Sequence, residues 1–573
     1  MASSILYFIV FLGILVTLAV PMGSYMARVF TGKHTFMSFI IRPLETGLYR
    51  LCRIDEHEEM SWKQYSLAFL LLNAVGLAAL FLLQIVQRSL PLNPMGFGAV
   101  RWDTALNTAI SFVTNTNWQA YGGETTMSYL TQMAGLAVQN FVSAAVGIAV
   151  ALPLIRAFTS RLKNTIGNFW VDMTRSVLYV LLPLSIILAM LLVSQGVVQT
   201  FNPYVKAQTL DSLGQVPATE QVIAVGPAAS QVAIKELGSN GGGFFNANSS
   251  HPFENPTPLS NFLEMLAILL IPAALPLTFG IMVKNRRQGW AIFAAMMILF
   301  LVGLGAAFQA EWQGNPVLAQ SGLGNGTAME GKEVRFGIGS SVLWGQATTV
   351  TSNGSVNAMH DSMMPFTGLV FMFNMAIGEV VFGGVGVGLI GMLMYAVLAI
   401  FLAGLMIGRT PEFLGKKLEA REMIMAVTAV IAPAIASLIF AGMAVTIPTG
   451  LSSLNNPGPH GLSEILYAFF SAAGNNGSAF AGLNANTVFY NLTTGFVMLA
   501  GRFLTILPAL AIAGSLAMKK SVPSSSATFP TDSPLFTVLL IGVVLIVGAL
   551  TFFPALILGP FLEHLLIFAG RTF

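Results

Sequence analysis

Charged residues are scarce in this chain. Asp, Glu, Lys and Arg together account for 9% of its 573 residues, whereas 55% of the residues are hydrophobic. A soluble domain of this length needs a more highly charged, solvated surface. The composition therefore excludes a soluble protein and predicts an all-α polytopic membrane protein surrounded by the lipid bilayer. The formal net charge of +3 gives no indication of a nucleic-acid partner.

Cysteine, metal-binding spacings and ATP motifs are also missing. Cys52 is the only cysteine, and the six histidines show no spacing such as HExxH, which excludes a disulfide framework and the common metal sites. There is no Asp-Lys-Thr-Gly phosphorylation motif, and the P-loop-like segment Gly326–Glu333 has Glu333 where Mg²⁺ requires Ser or Thr. We therefore expect no catalytic residue and no bound cofactor on this chain.

Long apolar runs are abundant. Ten of them are long enough to cross the hydrocarbon core at roughly 20 residues each, near residues 4–27, 64–87, 131–155, 176–198, 259–283, 288–310, 364–405, 423–447, 486–516 and 535–558. The seventh run is too long for one straight span. Its glycine-rich centre, residues 382–388, predicts a break, because each interior glycine costs about 1 kcal/mol relative to alanine.

The distribution of basic residues predicts the orientation. Nineteen of the 27 Lys and Arg residues fall in the connections after the first, third, fifth, seventh and ninth spans. Cytoplasmic connections are enriched in Lys and Arg, so these connections are predicted to be cytoplasmic and both termini to lie outside. No basic residue precedes the apolar segment Ile5–Val20, which is therefore interpreted as an uncleaved span.

Four short polar segments recur in the opposite connections, at intervals of 124, 113 and 123 residues. This near-constant spacing indicates one structural unit used four times. The segments are Thr114-Asn115-Thr116-Asn117, Gly238-Ser239-Asn240-Gly241, Thr351-Ser352-Asn353-Gly354 and Gly474-Asn475-Asn476-Gly477. Turns between spans would explain any one of them, but four in the same topological position favour a shared function. Asn117 stands where the other segments have glycine, which leaves the register of the first segment open by one residue.

A short helix is predicted before each segment, at residues 103–113, 228–237, 340–350 and 463–472, with Asp103 and Ser463 as N-caps. About ten residues rise roughly 15 Å and cannot cross a core of about 30 Å. Each helix is therefore expected to enter the membrane and stop near its centre, where its carbonyl end favours a cation. The predicted fold has four fused helix–pore-loop–helix repeats around a pseudo-fourfold, potassium-channel-like pore, with backbone carbonyls replacing the hydration shell of the ion.

Three further residues are candidates for function. Arg502 lies inside an apolar span, where a cation costs about 3 kcal/mol or more; it either forms a structural salt bridge or places a barrier below the filter. Glu379 precedes the glycine-rich break and is either a structural carboxylate, a partner of Arg502 or part of the ion route. Gln119 is either a solvated loop residue or a residue of the filter mouth.

Longer motifs around these residues resemble one family, the potassium-binding A subunit of the bacterial Kdp potassium-transporting P-type ATPase. The similarity runs from the first span to the last, and the motifs that carry it include Ser111–Gln119, Gly238–Asn255, Gly378–Gly386 and Gly474–Gly482. It implies an inner-membrane protein that selects external K⁺ and passes the ion through an intramembrane tunnel to the ATP-hydrolysing B subunit. The B subunit would hold ATP and Mg²⁺, and a single-span C subunit and a small F subunit would complete the complex.

The resemblance also implies roles for particular residues. Gln119 would lie at the filter mouth and Arg502 below the filter. The carbonyls expected to bind K⁺ are those of Asn115, Ser239, Ser352, Asn475, Gly241, Gly354 and Gly477. The repeats are placed at residues 61–160, 161–285, 286–415 and 416–520, with additional spans at 1–60 and 521–573.

Two other functions are alternatives to that of a pump subunit. A stand-alone channel or symporter of the Trk and Ktr kind shares the fourfold pore but needs no partner. A carrier for organic solutes is disfavoured, because such carriers place their site between inverted repeats, whereas these four repeats all share one orientation.

Overall fold

The computed structural model describes residues 1–209, 220–320, 328–408, 410–521 and 529–571. Arg409, one of the basic residues counted above, and Gly326 and Thr327 of the P-loop-like segment lie outside the described residues. Within the described ranges the chain is almost entirely helical. Its strands form two short antiparallel hairpins, β1 (Val205–Gln208) with β2 (Glu220–Ile223) and β3 (Glu412–Phe413) with β4 (Lys416–Lys417).

The helices follow one another with short connections. In the first half they are α1 (Ala2–Phe30), α2 (Ser38–Cys52), α3 (Trp62–Val86), α4 (Trp102–Val113), α5 (Gly123–Thr126), α6 (Val138–Thr159), α7 (Phe169–Arg175), α8 (Leu182–Ser194), α9 (Ala228–Leu237) and α10 (Pro258–Met282). In the second half they are α11 (Arg286–Gln313), α12 (Pro316–Gln320), α13 (Gly337–Val350), α14 (Pro365–Ala376), α15 (Val387–Ile407), α16 (Ala420–Ala444), α17 (Pro448–Leu451), α18 (Gly458–Gly474), α19 (Val488–Met518), α20 (Pro534–Leu556) and α21 (Leu562–Phe568). Short π-helical stretches lie at Thr131–Ala137, Ser176–Leu181 and Ile557–Phe561.

The number of membrane spans agrees with the sequence prediction. Ten helical stretches in the described ranges are long and apolar enough to cross a membrane. The most buried are Thr131–Thr159 and Pro258–Met282, in which 83% and 78% of the most apolar segment is buried inside the protein. In α1, which lies at the periphery, the buried share of that segment is 22%. The predicted break is also present: α14 ends at Ala376 and α15 begins at Val387.

The connections between spans collect on two faces. On one face the basic connections contact each other: the Lys416 ammonium donates to the Ser160 carbonyl, and Lys519 Nζ donates to the Lys417 carbonyl at 2.9 Å. On the opposite face the short helices α4, α9, α13 and α18 begin. The first and last described helices also reach this face, because Ser4 packs against Gly339 at the start of α13 and Glu563 contacts His460 of α18.

The predicted N-caps of two short helices are wrong. Helix α4 begins at Trp102 after the N-cap Arg101, so Asp103 lies in the first turn, where Arg101 Nε contacts its carboxylate at 2.5 Å. Helix α18 begins five residues earlier than predicted, after the N-cap Pro457. Pro459 lies in the first turn of α18 and already has the helical φ angle, because its ring fixes that angle. This allows the helix to begin upstream of Ser463.

Candidate functional site

The four short helices α4, α9, α13 and α18, called the pore helices below, lead directly into the four polar segments, called the pore loops. Thr114, Gly238 and Thr351 are the C-caps of the first three pore helices, and Gly474 is the last residue of the fourth. Each pore loop thus begins where the helix dipole places partial negative charge. With 10 to 17 residues, the pore helices are shorter than the roughly 20 residues of an ordinary membrane span.

The pore loops share one backbone conformation. The second and fourth residues of every loop have positive φ angles: 66° and 53° in the first loop, 47° and 71° in the second, 55° and 76° in the third, 57° and 100° in the fourth. The N–H of each third residue donates to the carbonyl five residues earlier. These bonds are Thr116 to Ser111, Asn240 to Lys235, Asn353 to Thr348 and Asn476 to Ser471, with lengths of 2.8, 2.9, 3.3 and 2.8 Å.

This shared pattern settles the register of the first loop. Asn117 has a φ of 53° and takes the place of Gly241, Gly354 and Gly477. Asparagine is one of the few non-glycine residues that adopt this conformation at low cost. The four segments therefore align residue by residue without an offset.

The pore loops form a closed ring in chain order. The fourth residues of the second, third and fourth loops pack so closely on the next loop that a Cβ would overlap a carbonyl oxygen there; the pairs are Gly241 with Asn353, Gly354 with Asn476 and Gly477 with Thr116. The first loop closes the ring, because Asn117 Nδ2 donates to the Gly241 carbonyl at 3.1 Å. Only glycine fits such close approaches of two backbones.

Most carbonyls predicted to bind K⁺ are free of protein donors. Those of Asn115, Ser352, Asn475, Gly354 and Gly477 accept no hydrogen bond from the described residues. The other two each accept one from a first-loop side chain: Ser239 from Asn115 Nδ2 at 2.9 Å and Gly241 from Asn117 Nδ2 at 3.1 Å. Since most of the loop N–H groups bond back to the pore helices, most of the backbone groups left over in the ring are carbonyl oxygens.

A wide vestibule lies on the side of the ring from which the pore helices enter. Its volume is about 830 Å³, and Asn117, Gly354 and Gly477 from three pore loops line it. Gln119 also lines it, and this side chain is not simply solvated. Its Oε1 accepts from the N–H of Gly243 at 2.8 Å and its Nε2 donates to the Gly243 carbonyl at 3.1 Å, which ties the first loop to the second.

A floor lies on the other side of the ring. The break at residues 377–386 contacts the undersides of two pore loops: Gly384 packs on Ser352, and the Glu379 side chain packs on Gly474. Arg502 adds a buried cation at the same level and donates from Nη2 to the Ser143 carbonyl at 3.1 Å. Glu379, Gly384 and Arg502 thus lie beneath the ring, on the side opposite the vestibule.

The suggested ion pair between Glu379 and Arg502 is wrong. No salt bridge joins them, and both Glu379 carboxylate oxygens are buried without a hydrogen-bond partner among the described residues. Arg502 instead reaches across to helix α6, where its Nη2 lies near Gly147. The backbone turn at Glu379, with a φ of 49°, points this side chain to the fourth loop instead.

A small cavity beside the floor leads sideways. It has a volume of about 50 Å³, which holds a few water molecules, since one water needs roughly 10–15 Å³ of this kind of space. Its lining comes from the third and fourth repeats and includes Ser352, Gly378, Asn475 and Arg502, together with Ser437 of α16. The cavity thus extends from beneath the ring toward α16.

The structure also shows a charged cluster that the sequence analysis missed. Lys235 of the second pore helix is fully buried with three carboxylates, here called the Lys235 cluster: Lys235, Glu236, Glu254 and Glu264. Lys235 Nζ contacts Glu254 at 2.5 Å and Glu236 at 3.5 Å. Two adjacent charges in a helix that enters the membrane were the available signal, because buried charges there are rare and costly.

The Lys235 cluster supports the ring from behind. The Lys235 carbonyl accepts hydrogen bonds from the N–H groups of Asn240 and Gly241 and from Asn353 Nδ2, the last at 3.2 Å. Glu236 accepts from the Ser355 hydroxyl at 2.8 Å, immediately after the third pore loop. One charged cluster therefore holds parts of two neighbouring loops.

Comparisons with known proteins agree with this architecture. A family model described as potassium-transporting ATPase A subunit matches residues 9–565. Curated proteins named potassium-transporting ATPase potassium-binding subunit are similar over almost the whole chain. That of Sorangium cellulosum is 59% identical, covering 98% of this chain and 99% of its own length, and that of Mesorhizobium japonicum is 58% identical, covering 99% and 98%.

A solved structure shares the fold. The potassium transporter TrkH from Vibrio parahaemolyticus superposes with a TM-score of 0.54 at 14% sequence identity, covering 88% of this chain and 97% of that chain. At this identity the similarity concerns the fold alone.

Proposed function

The chain belongs to the potassium-transporting ATPase A subunit family, and on this premise we propose that it binds K⁺ in the ring of pore loops and delivers the ion to an ATP-hydrolysing partner. The ring of largely unpartnered carbonyls is the observation that carries the proposal. Buried backbone carbonyls require a partner, and a dehydrated K⁺ is the ion that such rings coordinate. The chain is thus the potassium-binding subunit of an ATP-driven uptake system.

The ligands in this proposal are backbone oxygens. Those of Asn115, Ser352 and Asn475, with Gly354 and Gly477 above them, are available without breaking a hydrogen bond. The remaining two, the Ser239 and Gly241 carbonyls, would bind the ion through their second lone pair, since each already accepts one amide. The ring is therefore chemically unequal around its axis, because both proposed ligands of the second loop already accept a hydrogen bond and those of the third and fourth loops accept none.

The exit route in this proposal is lateral. The positive charge of Arg502 opposes a cation that continues straight through the floor, whereas the cavity toward α16 starts directly under Ser352 and Asn475. Glu379 lies at the same level, and its two side-chain oxygens, which have no hydrogen-bond partner among the described residues, would offer the ion ligands there. K⁺ would leave sideways through an intramembrane tunnel that continues in the B subunit.

The chain has no part in ATP chemistry itself. Its relatives are named as the potassium-binding subunit of the ATPase, and ATP hydrolysis belongs to another protein of the complex. We place ATP and Mg²⁺ on the B subunit and assign a C subunit and a small F subunit to the same complex.

The membrane orientation is proposed from the two faces. The basic connections would face the cytoplasm of a bacterium, which puts the vestibule and both termini on the outside of the inner membrane. We also propose that the four repeats comprise residues 61–160, 161–285, 286–415 and 416–520, with single spans before and after them.

Co-purification tests this function against a stand-alone channel or symporter. The tagged chain, expressed with its chromosomal neighbours and extracted in mild detergent, should bring down a larger protein with K⁺-stimulated ATPase activity. In liposomes the assembly should accumulate K⁺ only with ATP. A chain that purifies alone and conducts K⁺ without nucleotide would refute the pump-subunit proposal.

A further inference from the structure

Helix α2 on the basic face exposes several large apolar side chains and buries a carboxylate against the protein. Phe39, Ile40 and Leu51 are 91%, 66% and 80% exposed, whereas Glu45 is buried and bonds to Arg175 Nε at 2.8 Å. A helix on the surface of a soluble protein has the opposite arrangement. Helix α2 is therefore an interfacial helix whose outer side lies at the boundary between lipid headgroups and acyl chains.

A groove of about 620 Å³ lies beside the start of α2. It runs between the end of α1, the α1–α2 connection and the α10–α11 connection. Four basic side chains line it, Arg28, Lys33, Lys284 and Arg286, and no acidic residue does. None of the four forms an ion pair or a side-chain hydrogen bond with another residue in the described ranges.

The wall of the groove is apolar. Tyr25 and Phe36 line it with ring centroids 5.6 Å apart, and Met282 lies among the lining residues from α10. Phe36 is 84% exposed, so the groove is continuous with the outer side of α2. The groove therefore combines uncompensated positive charge with a hydrophobic surface at headgroup level.

We infer that this groove binds an anionic phospholipid, with the phosphate headgroup among the four basic side chains and an acyl chain along the apolar wall. Basic pockets between spans on the cytoplasmic side of membrane proteins bind such headgroups. A free phosphate would use the charges but not the wall, whereas a lipid uses both. The inference does not depend on K⁺ binding in the ring.

The test compares two variants of equal charge change in the assembled complex. The groove variant is R28Q/K33Q/K284Q/R286Q. The control variant, R50Q/K63Q/R161Q/K520Q, neutralises exposed basic residues of the same face outside the groove. Both complexes are reconstituted in phosphatidylethanolamine nanodiscs containing a minor fraction of phosphatidylglycerol, and native mass spectrometry counts the phosphatidylglycerol that stays bound to this chain.

The affinity of the groove variant for phosphatidylglycerol should fall about tenfold or more, because each basic residue near an anionic lipid contributes substantially to the binding free energy. The control variant should keep the lipid. Equal loss in both variants, or lipid retained by the groove variant, would overturn the inference. So would displacement of the lipid by inorganic phosphate, or loss of another protein of the complex from the groove variant, which would make the surface a protein interface. Melting temperature and K⁺-stimulated ATPase activity verify that both variants are folded.

Discussion

Replacing Lys235 by methionine should weaken both the stability of the protein and its affinity for K⁺. Methionine keeps the length and apolar stem of the side chain but removes the ammonium group. In the wild-type cluster one cation faces three fully buried carboxylates. In the variant those carboxylates remain without their cation, and Glu254 and Asn248 lose a donor at 2.5 and 2.8 Å.

The expected cost is about 3–5 kcal/mol of the free energy of unfolding, the range for removing one partner of a buried ion pair. The loss should reach the ring, because the Lys235 backbone carbonyl accepts bonds from Asn240 and Gly241 of the second loop and from Asn353 of the third. A shift of this segment changes the spacing of carbonyls in two of the four loops. The K⁺ concentration for half-maximal ATPase activity should therefore rise.

The assay measures thermal unfolding of the purified complex and its ATPase activity across a K⁺ titration. The matched control is Lys206→Met, which removes an exposed ion pair with Glu220 at 2.9 Å and should change stability by at most about 1 kcal/mol. The double variant Lys235→Met/Glu254→Gln removes one charge of each sign. It should recover about 1–3 kcal/mol relative to the sum of the two single changes.

Two results would refute this reasoning. If Lys235→Met melts like Lys206→Met and keeps its K⁺ affinity, the Lys235 cluster does not support the ring. If the stability falls but Glu254→Gln recovers nothing, the loss comes from packing rather than from the unbalanced charge.

Three other predictions concern the ring, the floor and the outer face. Gly354→Ala should raise the K⁺ concentration that the ATPase requires at least tenfold, because φ is 76° at this position and a Cβ would overlap the next loop. Gly442→Ala, at a position with open space around it, should leave the requirement unchanged. Equal titration curves for the two variants would contradict the ring assignment. Arg502→Gln should produce an ATP-independent K⁺ leak in proteoliposomes that Arg502→Lys does not, because only the former removes the barrier charge; a tight Gln variant would argue against the barrier. Burial lowers the pKa of His460, but its bonds to Asp361 and Glu563 outweigh burial and raise the pKa to about 10. This pKa exceeds the unfolded value of about 6.5, so the stability that protonated His460 contributes is complete below about pH 6.5 and is lost as the pH rises through about 10. The melting temperature should therefore fall between about pH 6.5 and about pH 10 in the wild type and not in His460→Gln.

Local features of the architecture were predictable because they depend on neighbouring residues. The ten spans follow from the length of apolar runs, and the break before Val387 follows from clustered glycines. The four short helices were located within five residues, and α9 begins at Ala228 as predicted, but the starts of α4 and α18 differ from the predicted N-caps. Those starts depend on contacts such as Arg101 with Asp103, which compete with ordinary capping preferences.

Parts of the site could not be predicted because they depend on segments more than 100 residues apart. The absence of a bond between Glu379 and Arg502 follows from the turn at Glu379, which directs the side chain to the fourth loop. The two hydrogen-bonded carbonyls, those of Ser239 and Gly241, follow from which loop is adjacent to the first. Sequence spacing contains neither fact.

The sequence alone determined that this is a polytopic helical membrane protein with one polar loop unit used four times, since span length, charge asymmetry and repeat spacing are all local or periodic properties. Only the tertiary structure decided that the loops close into a ring in chain order, that a buried charged cluster holds two of them, and that the open space beneath them leads sideways. These features arise where distant backbones meet, and the energy of such contacts depends on geometry that no stretch of sequence specifies by itself.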